Sequence, residues 1–389
     1  MKQKVFSTGM KISAVILAYV YIWHSMMGFR WPSLYVMSNH IVTSKFGFIP
    51  RTFVSSIAEI FVGEYIYKRK FLYILILTVC FVFILYILYN IVVEVAVKEK
   101  TLYFFVFLTL ALSPYAKYYI HEAGYFEQYG YVFGIILIAF VRKKDWKTTC
   151  LLSSVFSFIS VMISETNLFL IVPFMFSIVL LEIIGGGYDK EFYRKFAGLF
   201  ASYIPTVIYS LLVYKIKVPK ELVDRIQTYD LERADFYVHD IYQYFWNDRS
   251  NKDIWGRTLH EIPIECIILP LILVCIIAFL VYKINKRIAV AYFTLSGLCG
   301  LFNYSIVILA WDLSRYYFCI YMQVLFLTLY ILKTYLNDYQ LNKYEIMCFI
   351  IYTLAIVGMS GFELSLFNDV IYSRTWNEVF EMIGNFTSY

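Results

Sequence analysis

The sequence predicts an all-α polytopic membrane protein, and three observations predict it. The 389 residues are 61% hydrophobic and 20% aromatic but only 16% charged, whereas soluble domains are about half apolar and roughly a quarter charged. The apolar residues come in runs of about twenty, the length that crosses a ~30 Å hydrocarbon layer as a helix. Those runs are continuous rather than alternating, so helices and not barrel strands satisfy the backbone in lipid.

About eleven runs qualify. The first, 10–28, follows Lys2 and Lys4 and includes Lys11. His24, Met26 and Met27 stand where a cleavage site needs small residues, so it reads as a retained signal anchor. Run 71–92 lies between the basic triplet Lys68-Arg69-Lys70 and Lys98 and Lys100. Runs 101–120 and 124–141 are separated only by His121-Glu122-Ala123, and 148–163 and 168–184 only by Ser164-Glu165-Thr166-Asn167. Run 196–214 precedes a long polar stretch, after which come 262–282, 288–310, 316–332 and 344–360. The stretch 51–67 is weaker, because Glu59, Gly63 and Glu64 interrupt it, and it reads as an amphipathic helix on the outer surface. The chain is then a single transmembrane domain over 1–389, with a first outer loop at 29–70, a long outer loop at 215–261 and an outer tail at 361–389.

Orientation follows from the basic residues. Half of the 34 Lys and Arg sit in six short connectors, which marks those connectors as cytoplasmic. The N-terminus is expected inside and the C-terminus outside. The overall charge of +6 is this bias and not a nucleic-acid footprint.

With that topology the awkward polar residues fall on the outer face. Arg51 precedes the surface helix. His121 and Glu122 occupy a tight turn, and Glu127 lies about one turn inside the next run. Glu165 sits in a short turn before a helix containing Pro173. Asp312 and Arg315 close another turn, three residues apart and so able to pair on one helical face. Each has a plain structural alternative: a cap for Glu165, an interfacial polar pair for His121-Glu122, a structural ion pair for Asp312 and Arg315. Convergence on one face favours a site, because ionisable groups at membrane depth are costly.

The chemistry these residues suit is that of a lipid-diphosphate-linked sugar. Arginine forks clamp phosphate oxygens, which assigns diphosphate binding to Arg51 and Arg315. A carboxylate accepts a proton from an attacking hydroxyl, which assigns base or orienting roles to Glu127 and Glu165. Asp312 would fix Arg315, and His121 with Glu122 would hydrogen-bond sugar or phosphate. No phosphate-loop motif occurs, Gly185-Gly186-Gly187 follows no strand, and no Cys/His cluster has zinc spacing. No metal and no cofactor are expected.

In Gly47-Phe48-Ile49-Pro50-Arg51, His121-Glu122 through Glu127, Glu165 before a proline-containing helix, and Trp311-Asp312-Leu313-Ser314-Arg315, the chain resembles bacterial polytopic glycan-assembly proteins. These are the O-antigen and capsular repeat-unit polymerases and the GT-C-class lipid-linked-sugar glycosyltransferases. The resemblance spans the chain in architecture and rests on short motifs. It implies an outer-face active site in a bacterial cytoplasmic membrane, a polyprenyl-diphosphate-linked glycan as substrate, membrane lipid around it, and partners in polysaccharide export. Two departures stand out: 30–45 contains no acidic residue where GT-C enzymes carry an acidic pair, and Arg51 to Gly63 is one residue longer than an Arg-x10-Gly spacing. The competing expectation is a lipid-linked-glycan flippase or another transporter, using the same charges without chemistry.

Overall fold

A computed structural model describes residues 2–47, 49–141, 145–187, 190–216, 218, 221, 264–307, 313–358, 365–366, 369–370 and 374–385. Among them the fold is helical apart from one two-residue antiparallel pair, Ser365–Leu366 with Asp369–Val370, which the sequence did not suggest. The helices are α1 (Lys2–Met26), α2 (Leu34–Asn39), α3 (Phe53–Val62), α4 (Arg69–Asn90), α5 (Thr101–Leu112), α6 (Pro114–His121), α7 (Glu127–Phe140) and α8 (Trp146–Ile163). They continue with α9 (Asn167–Leu170), α10 (Val172–Gly185), α11 (Lys190–Tyr214), α12 (Ile264–Tyr282), α13 (Lys286–Val307), α14 (Leu313–Thr334), α15 (Lys343–Gly358) and α16 (Trp376–Gly384).

Among the described residues seven helical segments are long and apolar enough to cross a membrane: Phe6–Met26, Arg69–Val97, Trp146–Ile163, Asn167–Gly185, Lys190–Val213, Lys286–Ile306 and Arg315–Thr334. Three shorter apolar helices accompany them, Thr101–Leu112, Glu127–Phe140 and Ile267–Tyr282, together with the 16-residue α15. Each expected run overlaps helix among the described residues. The chain is a multi-pass membrane protein by the length and apolarity of these segments.

The surface explains the composition. On α1, Ile12, Val15, Ile16 and Tyr19 are exposed while Met10, Ala14, Leu17 and Tyr21 are buried. Both sets repeat at helical spacing and both are apolar, the pattern of a helix between protein and lipid. The centre of the bundle is α14: 94% of its apolar window is buried within the protein, and the next highest share is 72%. It packs against α12, α13 and α10, with α6, α7 and α9 around its first half.

Two expected single helices are broken, each at a proline. Run 101–120 divides into α5 and α6 because Pro114 takes the first position of a new helix and holds Ser113 extended (φ −79°, ψ 153°); the residue before proline disfavours the helical region. Run 168–184 breaks at Ile171, where Pro173 lacks the N–H that would bond Phe169 O. Gln323 of α14 replaces it, donating to Phe169 O (3.0 Å) and Leu170 O (2.7 Å). Gln128 does the same at the end of α6, donating to Tyr119 O (2.9 Å) and Glu122 O (3.0 Å) and accepting from the Gly124 N–H (2.9 Å). Gly124 has φ +97°, and a methyl there would meet Val36 and Ile76, so only glycine serves that turn. At the 51–67 stretch a ten-residue α-helix, Phe53–Val62, is followed across Gly63 (φ +58°) by a 3-10 turn through Tyr67.

The two ends of the bundle differ in chemistry. At one end lysines tie the helices: Lys98 and Lys100 pair with Glu94 (2.7 and 2.8 Å), and Lys283 pairs with Glu345 (2.5 Å). Lys333 donates to Ile138 O (3.2 Å). At the other end Arg30, Arg51 and Arg315 pair with buried or half-buried carboxylates. On α14 alone, Arg315 and Lys333 stand about 27 Å apart along the axis at 1.5 Å per residue.

Candidate functional site

The arginine end is assembled from five stretches of chain that the helix breaks bring together. Arg51 stands two residues before α3 with φ +63°, a left-handed conformation that costs a non-glycine residue about 1–3 kcal/mol. What holds it there is a two-pronged ion pair with Glu165: Arg51 Nη2 to Oε1 at 2.6 Å and Nε to Oε2 at 3.2 Å. Arg51 Nη1 also donates to Asn39 Oδ1 (3.2 Å), while Asn39 Nδ2 donates to Tyr35 O (2.9 Å). Glu165 is thus not a cap. The first residue outside α9 is Thr166, which makes no side-chain capping bond, and the Glu165 carboxylate faces Arg51 across 114 residues of sequence.

Arg315, in the first turn of α14, meets Glu127, the first residue of α7, with Nε 3.2 Å from Oε1. This is a charge contact and not an aligned hydrogen bond. Both side chains are at most 10% exposed, which makes the pair a desolvated one. The guanidinium also lies over the Tyr125 ring (4.3 Å to the centroid) and beside Tyr316, to whose hydroxyl Nη2 donates at 3.1 Å. Cation–π contacts gain strength where water is excluded.

A third pair completes the set. Arg30 Nη2 lies 3.1 Å from Glu122 Oε1, Arg30 Nε donates to His121 O (2.7 Å), and His121 Nδ1 donates to Glu122 Oε1 (2.8 Å). Glu122 is 2% exposed, and its second oxygen has no hydrogen-bond partner among the described residues. The pairs share one electrostatic neighbourhood, since Glu127 feels the charges of Arg315, Glu122 and Arg51 together.

Six of the seven residues singled out from the sequence therefore meet here: Arg51, His121, Glu122, Glu127, Glu165 and Arg315. Asp312 lies outside the described residues, as does almost all of the long loop 215–261. Arg315, which the sequence paired with Asp312, has Glu127 as its carboxylate among the described residues. Arg30, Asn39 and Tyr125 were missed as site residues. Arg30 carried a readable signal, a lone cation directly after the first apolar run; Asn39 and Tyr125 carried none. Among the described residues no three His, Cys, Asp or Glu side chains come together as a metal site requires.

His40 closes the back of the site. Nδ1 donates to Val36 O (2.8 Å), Nε2 accepts from the Tyr129 hydroxyl (3.0 Å), and the ring lies against Phe126. Burial pushes its pKa down to about 4, so folding holds it neutral while the unfolded chain takes up a proton near 6.5. The unfolded state binds more protons between those values, so stability rises with pH across that window and is lost as pH falls through it. The loss approaches about 3 kcal/mol at its lower end. Thermal unfolding between pH 7.5 and 4.5 is expected to steepen less in His40→Gln than in the wild type. Equal slopes would rule His40 out as the source.

No protein-family model, curated protein or solved structure matches this chain.

Proposed function

We propose that the protein is a membrane glycosyltransferase that uses polyprenyl-diphosphate-linked sugars on the outer face of a bacterial cytoplasmic membrane, with repeat-unit polymerisation preferred over single-sugar addition. The observation that carries this reading is the convergence of three arginine–carboxylate pairs, Arg30–Glu122, Arg51–Glu165 and Arg315–Glu127, at one end of the bundle. Guanidinium forks match phosphate oxygens, the unsatisfied Glu122 oxygen suits a sugar hydroxyl, and Tyr125 offers a ring for a sugar face.

In the reaction a glycan hydroxyl gives its proton to a carboxylate as its oxygen bonds to the donor's anomeric carbon. The bond from that carbon to the phosphate oxygen breaks, and its electrons leave on the diphosphate. Glu127 or Glu165 would accept the proton, and Arg51 and Arg315 would stabilise the departing charge. Asp312 would orient Arg315, and His121 and Glu122 would hold hydroxyls. A transport reading is weaker because α14 carries no charge between Arg315 and Lys333, whereas a carrier needs cargo contacts at mid-depth.

Deleting the gene is expected to leave single repeat units and remove long chains when surface polysaccharide is resolved by length; unchanged chain lengths would overturn the polymerase reading. The reading also requires about eleven crossings, with the N-terminus inside. In a background lacking native cysteines, Glu64→Cys is expected to react with a membrane-impermeant maleimide on intact cells, and Lys98→Cys only after lysis. The reverse pattern would place the arginine end in the cytoplasm.

A further inference from the structure

We propose that α16 is an interfacial helix, lying in the membrane surface at the arginine end with Phe380 and Ile383 seated in lipid. At about 100° per residue its nine residues divide into three sectors. Val379 is buried and Met382 half-buried against the core. Asn377, Glu378 and Glu381 are exposed and polar. Phe380 and Ile383 are exposed and apolar, Phe380 by 62%. A helix between protein and water needs only an apolar and a polar face. The second apolar sector, which the protein does not cover among the described residues, fits a third phase.

That phase is lipid because the sector continues the lipid-facing stripe of α1. Aromatic rings run from one to the other: Tyr19 to Trp23 (5.9 Å between centroids), Trp23 to Trp376 (5.4 Å) and Trp376 to Phe380 (5.4 Å, stacked). Trp23 stands three residues before the end of the span Phe6–Met26, the depth at which tryptophan sits between acyl chains and water. Phe380 therefore meets lipid at the level where α1 leaves it. Both ends of α16 are held there. The Arg374 N–H donates to Met27 O (2.9 Å), and Trp31 Nε1 donates to Met382 O (3.1 Å). Thr375 and Glu378 cap each other's backbone N–H groups, so the helix start is set by its own sequence. With two glutamates on the water side, the seating rests on apolar contact and not on attraction to anionic headgroups. Arg30, the partner of Glu122, lies in the chain between the two anchor residues Met27 and Trp31. The helix thus ties that part of the site to the membrane surface.

The test is spin labelling of the full chain, lacking native cysteines, in phosphatidylcholine nanodiscs. Asn377→Cys, Phe380→Cys, Glu381→Cys and Ile383→Cys are labelled one at a time, all at exposed positions where the label displaces no core contact. Collision with molecular oxygen, which partitions into lipid, is compared with collision with a water-soluble nickel chelate. At 380 and 383 the oxygen-to-nickel ratio is expected to exceed that at 377 and 381 several-fold. Equal ratios at all four positions would mean α16 stands in water, and would overturn the proposal. Labels at 380 and 383 that are immobilised and shielded from both reagents would mean a second copy or another protein covers them, and would overturn it as well. The readout needs no turnover and is blind to which side of the membrane the arginine end occupies. Failure of the glycosyl-transfer reading would therefore leave the seating of α16 intact, and the converse also holds.

Discussion

Arg51→Ala is expected to cut transfer by on the order of 10²–10³-fold, the scale seen when one preorganised group facing developing charge is removed. Surface polysaccharide in cells carrying it should collapse to short chains at normal protein levels. Two companion variants separate the causes. Arg51→Lys keeps the charge but loses the fork that grips both Glu165 oxygens and Asn39, so it should fall between wild type and alanine. Arg51→Gly relieves the left-handed backbone at φ +63°, so it should unfold at a higher temperature than Arg51→Ala while remaining as inactive. Near-normal activity in Arg51→Ala would remove this residue from the site.

Arg315→Met is expected to give the largest loss of stability. Glu127 would remain 2% exposed with no cation against it, and breaking a buried pair from one side costs about 3–5 kcal/mol. Adding Glu127→Gln to the same chain removes the stranded charge and should recover most of that loss. Transfer should not recover in the double variant, because neither the diphosphate clamp nor the carboxylate is present. Thermal unfolding and an in vitro transfer assay on the four members of this cycle make the comparison. If Arg315→Met costs under about 1 kcal/mol, the pair is solvated and the desolvated-site argument fails.

How far the sequence reached is clear from these same residues. The apolar runs were legible because lipid imposes length and apolarity on each helix separately. The charges at helix ends were legible for the same reason, as exceptions to that rule. What could not be read was who faces whom. Arg51 and Glu165 are 114 residues apart, Arg315 and Glu127 further still, and pairing across such spans is decided by helix packing. The broken helices were half legible: Pro114 and Pro173 mark the breaks, but that Gln128 and Gln323 fill the freed hydrogen bonds depends on helices distant in sequence.

The burial of α14 bears on how the protein is made. It is the segment least exposed to lipid and carries Arg315 and Gln323, neither of which suits an isolated helix leaving a translocation channel. The ribosome delivers it after α6, α7, α9, α10, α12 and α13, the helices that surround it. Its slot is then already walled by protein when it arrives, and the arginine passes to Glu127 without facing acyl chains. Gene fusions that move α14 ahead of α12 should therefore be retained poorly in the membrane, even with every contact residue present.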